Sequence, residues 1–167
     1  MDEKTKKTLD GILDVYETKQ EAAKKETERR KTERELFLDR FSEKARTVIR
    51  PHLQQVGTLL KDRGHDFEIL EQQEEIERDG KRKTNAGVTL SIFPKGERPQ
   101  YPNEHGCPRV GFVVSPHSNK IYVHESTMMP NSGGQSGGTG EYDLDAITPA
   151  VIDKHIVSVL FRAMGKK

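Results

Sequence analysis

Residues 17–35 set the terms for the rest of the chain. Ala22 and Ala23 are their only apolar side chains, and the others are Lys, Arg, Glu, Gln and Thr. A stretch of this kind cannot bury a face against anything. It can still be helical in water, because Glu21 precedes Lys25 by four residues and Glu26 precedes Arg30 by four. In that orientation each pair adds about 0.2–0.5 kcal/mol to a helix. Any core must therefore come from Leu36 onward. With 32% hydrophobic against 33% charged residues, that core is small.

Apolar residues stand on either side of the charged stretch. Before it, Leu9, Ile12, Leu13 and Tyr16 recur at steps of three and four, which is one helical face, with Val15 beside them. After it, Phe37, Phe41, Ala45, Val48, Ile49, Leu53, Val56, Leu59 and Leu60 continue the same period. Pro51 falls inside this second stripe. It removes one helix hydrogen bond, but the stripe passes through it in register, so we expect a kinked continuous helix over 36–63. Gly64 suits the position after the helix end, behind Lys61 and Arg63.

From Phe67 the period changes from helix to strand. Phe67, Ile69 and Leu70 open a first strand, and Asp79-Gly80 is a hairpin signal. Val88, Leu90 and Ile92 alternate with Thr89 and Ser91, then Val110, Phe112 and Val114, then Ile121 and Val123. Residues 130–140 read PNSGGQSGGTG, the composition of a flexible loop. Residues 141–144 are a candidate edge strand. Thr148-Pro149 starts a final helix to about Met164, with Ile152, Ile156, Val159, Leu160 and Ala163 as its stripe. The expected fold class is α+β. A long N-terminal helical arm (1–35) precedes a small domain (36–167). That domain has an antiparallel sheet of four, or with 141–144 five, strands over 66–125, and helices cover one face.

Composition excludes several functions and selects none. Net charge is +1, from 28 basic and 27 acidic side chains, so no global field draws the chain to nucleic acid or an anionic membrane. Arg29-Arg30-Lys31 and Lys81-Arg82-Lys83 are basic triplets, but acidic residues flank both, and nucleic acid is not the expected partner. One cysteine, Cys107, rules out an intrachain disulfide framework. No apolar run resembles a leader or a membrane span, so a soluble, cytoplasmic protein is expected.

Four residues could carry metal or thiol chemistry. His105 and Cys107 stand two apart, and His117 and His124 follow; thiolate and imidazole together suit zinc. The spacing matches no paired zinc pattern, and the bland alternative is a surface loop with an incidental histidine and cysteine. Cys107 as a nucleophile lacks an identifiable acid or amide partner. The glycines of 132–140 resemble a phosphate-cradling loop, but Glu141 and Asp143 follow where a P-loop has Lys and a helix. No cofactor is implied, and an enzyme is not the favoured reading. The favoured one is a protein-interaction or assembly module. Leu9, Ile12, Leu13 and Tyr16 would meet a partner protein or a second copy. A heptad drawn through Leu9, Tyr16, Ala23, Arg30 and Phe37 puts Arg30, Lys19, Glu26 and Glu33 in the seam, so the contact is expected at the tip alone.

Overall fold

Asp2 opens the first helix. Its carboxylate accepts the Thr5 N–H at 2.7 Å, filling one of the donors a helix start leaves unsatisfied. Helix α1 then runs Glu3–Lys44. The computed structural model describes residues 2–96, 106–130 and 132–165. It has a long N-terminal helix, a five-stranded antiparallel sheet and a C-terminal helix, an α+β fold. The chain divides into two compact units, Met1–Asp39 and Arg40–Lys167. No helix among the described residues is long and apolar enough to cross a membrane.

In the first unit the charged stretch is helical, and its side chains pair along its own surface. Arg30 reaches Glu26 at 2.9 Å, the expected spacing of four, and Arg29 bridges Glu26 at 2.8 Å and Glu33 at 2.5 Å. Hydrogen bonds from Arg29 and then Arg30 hold the Glu26 carboxyl at about 2, below its ordinary 4.5. A depressed carboxyl lends the helix support above its unfolded value, and that support disappears as pH falls through the folded one. Far-ultraviolet dichroism should therefore show helix lost between pH 4.5 and about 2 in the wild type. Glu26→Gln should already lack that contribution at neutral pH and lose less helix over this window.

The second unit begins with the end of α1. After Lys44 the helix widens for one turn, a π-turn over Ala45–Ile49, and resumes as α2, Arg50–Asp62. The Arg50 N–H donates to the Ala45 carbonyl, five residues back. Proline cannot donate, and its ring pushes away the carbonyl four residues before it. A widened turn just before Pro51 makes that room. The sequence reads as a kink, and the structure resolves it as this π-turn in an unbroken helical run. Ala45, Ile49 and Leu53 stay fully buried. The helix ends at Gly64 (φ 87°), where the His65 N–H returns to the Leu60 carbonyl and the Gly64 N–H to Lys61, a Schellman closure.

The sheet contains β1 (Asp66–Gln72), β4 (Gly87–Phe93), β5 (Arg109–Val114), β6 (Ile121–Ser126) and β7 (Ser136–Tyr142), hydrogen-bonded in that order. Between β1 and β4 the chain extends a two-stranded ribbon, β2 (Glu75–Ile76) and β3 (Arg82–Thr84), turned at Gly80 (φ 80°). The second basic triplet lies here among acids. Arg82 pairs with Glu74 at 2.9 Å, Lys83 with Glu75 at 3.7 Å, and Lys81 with Asp79 at 3.4 Å.

Val88, Leu90, Ile92, Val110, Phe112, Val114, Ile121 and Val123 form the inner face and are fully buried. Helix α3 (Pro149–Met164) contributes Ile152, Ile156 and Val159 to the same core. Its start is as expected, with Thr148 accepting the Val151 N–H and Pro149 in the first turn. The fifth strand is the correction. It occupies Ser136–Tyr142, most of it in the glycine-rich segment that composition assigns to a flexible loop over 130–140. Gly137 pairs opposite Glu125 and Gly138 opposite His124. Backbone pairing needs no side chain, so this strand has no apolar alternation to betray it.

Candidate functional site

Leu9, Ile12, Leu13, Val15 and Tyr16 all lie on α1 and are 45%, 60%, 55%, 55% and 58% exposed. Five large apolar side chains within eight residues are more than the scattered surface leucines of an ordinary protein. The helix is also self-supported at this point, since the Gln20 amide donates to the Tyr16 hydroxyl at 2.7 Å. The patch thus lies on a single helix with its apolar side chains exposed.

The residues proposed for metal or thiol chemistry are placed as follows. His105 lies outside the described residues. Cys107 is buried, and its sulfur accepts from Arg109 Nε at 3.5 Å. His117 is exposed in the turn between β5 and β6. His124 is on β6, half-buried, with Nε2 3.1 Å from the Ser136 hydroxyl. Burial, then the nearby Arg109 charge, lower the His124 pKa from 6.5. Among the described residues no three His, Cys, Asp or Glu side chains converge to hold a metal ion.

The most connected polar cluster includes none of these. Glu125 ends the inward alternation of β6 and is 4% exposed. One of its carboxylate oxygens is 2.5 Å from His155 Nδ1, and the other accepts from Ser158 Oγ at 3.3 Å and from Arg162. The other ring nitrogen of His155 meets the Tyr142 hydroxyl at 2.8 Å. Carboxylate, imidazole and phenol therefore form one chain between the sheet and α3. The carboxylate favours a proton on Nδ1, which leaves Nε2 to accept from Tyr142. The Phe112 ring packs edge-on to the imidazole, centroids 6.4 Å apart. Gly140 makes room for Tyr142, because a Cβ there would sit 3.0 Å from the phenol ring. A buried carboxylate is tolerated only when paired and hydrogen-bonded, and here each oxygen is.

The sequence holds only partial signals of this cluster, on two elements whose pairing it does not give. Glu125 continues the Ile121, Val123 alternation, and His155, Ser158 and Arg162 recur at three and four along α3. Comparison with known protein families, with curated proteins and with solved structures finds no match.

Proposed function

We propose that this protein is a non-enzymatic assembly module, and that copies of it join through the N-terminal helix. The observation that carries the reading is the exposed array of Leu9, Ile12, Leu13 and Tyr16 on a helix whose following residues cannot cover it. The occupant best suited to it is a second copy lying antiparallel. Lys4, Lys6 and Lys7 precede the patch, while Asp10, Asp14 and Glu17 run through and just past it. An antiparallel pairing centred near Ile12 brings Lys6 of one copy, which borders the patch on the helix surface, near Glu17 of the other, which borders it on the same side. A parallel pairing in register would set like charge against like.

The contact is short. Fully burying such a side chain contributes about 1.5–3 kcal/mol, and association itself costs about 4–15 kcal/mol. A concentration-dependent equilibrium is therefore expected, as opposed to an obligate dimer.

Orientation is tested by disulfide capture. Thr5→Cys and Gln20→Cys place thiols on either side of the centre. Oxidised separately, each variant should cross-link poorly, and an equimolar mixture should cross-link efficiently. Efficient capture in each separate variant, with none gained on mixing, would show a parallel pair. No capture in any sample, at a concentration where the wild type is dimeric, would remove the helix as the interface.

A further inference from the structure

Helix α3 carries apolar side chains on two faces. One enters the core through Ile152, Ile156 and Val159. On the other, Val157 and Phe161 are 63% and 69% exposed, and Phe161 is the most exposed large apolar side chain among the described residues. A helix apolar on both faces is usually buried on both. The outward residues also follow a pattern. Ala150, Lys154, Val157, Phe161 and Met164 succeed one another at steps of four, three, four and three. This is the repeat by which one helix packs along another. The first four are exposed and Met164 is half-buried. The helix is fixed from behind. Glu125 of β6 meets His155 Nδ1 at 2.5 Å and accepts from Ser158 and Arg162. Asp153 meets His52 Nε2 of α2 at 2.7 Å. The outward stripe is therefore formed before any partner arrives, which lowers the ordering cost of binding.

Charge selects the partner. Residues 154–167 hold Lys154, Arg162, Lys166 and Lys167 and no acid. Arg162 is engaged by Glu125, whereas Lys154 stands within the stripe, between Ala150 and Val157. A lone cation in such a seam weakens plain apolar pairing and favours a partner that answers it. A second copy of α3 does not answer it, because the one acid of that helix, Asp153, already meets His52. A lipid surface suits an apolar arc with its cations on the polar side, not a cation inside the stripe. We infer that the outward face of α3 docks one helix of another protein, an acidic amphipathic helix whose apolar stripe covers Val157 and Phe161 and whose carboxylate meets Lys154. This contact goes beyond self-association through α1 and uses a separate surface. Phe161 is its anchor, since large aromatic side chains dominate the energetics of interfaces, and Lys154 sets the choice among helices.

The probe is a three-heptad helical peptide with leucine at its a and d positions and glutamate at e and g; its twin has lysine at e and g. Each is titrated into the full chain carrying Ile12→Glu and Leu13→Glu, so the outcome does not depend on self-association through α1. The readouts are the amide resonances of Lys154, Val157 and Phe161 and the heat of binding. The acidic peptide should give saturable shifts confined to the outward face of α3, and bind about tenfold or more tightly than its twin, the worth of one charge-assisted contact. Phe161→Ser alters an exposed side chain, so the fold should stay intact while binding weakens about tenfold or more. Lys154→Glu should reverse the preference, with the lysine peptide now the tighter. Shifts that do not saturate, equal binding of the two peptides, or binding that survives both substitutions unchanged would overturn the proposal. Vesicles containing phosphatidylserine that move these resonances where the peptide does not would assign the face to a lipid surface and overturn it too. So would concentration-dependent shifts of Val157 and Phe161 in the wild type alone, which would assign the face to α1 of a second copy.

Discussion

Phe112→Ala lowers the unfolding free energy of the full chain by about 3–5 kcal/mol, the range for removing a large aromatic ring from a closed core. Phe112 is fully buried on the central strand of the sheet. Its removal leaves a cavity against β4, β6 and the His155 ring it touches edge-on. The cost should fall at the upper end of the range, because the ring also packs edge-on to the buried imidazole of His155. Urea denaturation followed by far-ultraviolet dichroism measures it. A loss below about 1.5 kcal/mol, the usual cost of a volume-conserving swap, would mean that the site collapses freely and is not packed as described.

Glu125→Ala is the second large effect. Removing one partner of a buried charged pair typically costs about 3–5 kcal/mol, because the remaining group is left uncompensated. Here the lower end applies. Arg162 is 37% exposed and can turn to water, whereas His155, 4% exposed, cannot. Glu125→Gln keeps the shape and one acceptor oxygen, but it loses the charge and turns an amide NH2 towards groups that themselves donate, so it should cost about 1–3 kcal/mol. Tyr142→Phe removes only the bond to His155 Nε2 and should cost about 1 kcal/mol. The order Ala, then Gln, then the tyrosine variant is what a hydrogen-bonded clamp between sheet and helix predicts. Equal small losses in all three would show that the chain of contacts does not hold α3. Phe112 and Glu125 share His155, so the double substitution should depart from the sum of the singles.

Much of this architecture is legible in the residues alone, for reasons that differ by element. The stripe at Phe41, Ala45, Ile49 and Leu53 and the alternation at Val88, Leu90 and Ile92 each report a buried face directly. Thr148-Pro149 reports a helix start through its own capping chemistry. Strand β7 is illegible because its glycines have no side chains to alternate. Gly133 (φ 71°) serves the turn, and Gly134 lets the backbone pass where a Cβ would lie 2.5 Å from the Thr127 carbonyl oxygen. Composition cannot separate these geometric uses of glycine from a linker's. The clamp is illegible for another reason. A glutamate at a strand end reads as surface until the opposing helix supplies His155 and Arg162, and that pairing is a matter of tertiary register.

The proposed role of the N-terminal helix is tested most directly by molar mass. Sedimentation equilibrium on the full chain should show mass rising with concentration from one chain to two. Ile12→Glu and Leu13→Glu together place charge at the centre of the patch, on side chains 60% and 55% exposed in the single chain, so the fold should be unaffected. That variant should remain a single chain throughout, with unchanged dichroism. A wild type that stays a single chain into the millimolar range would contradict self-association, and so would a variant that dimerises as the wild type does.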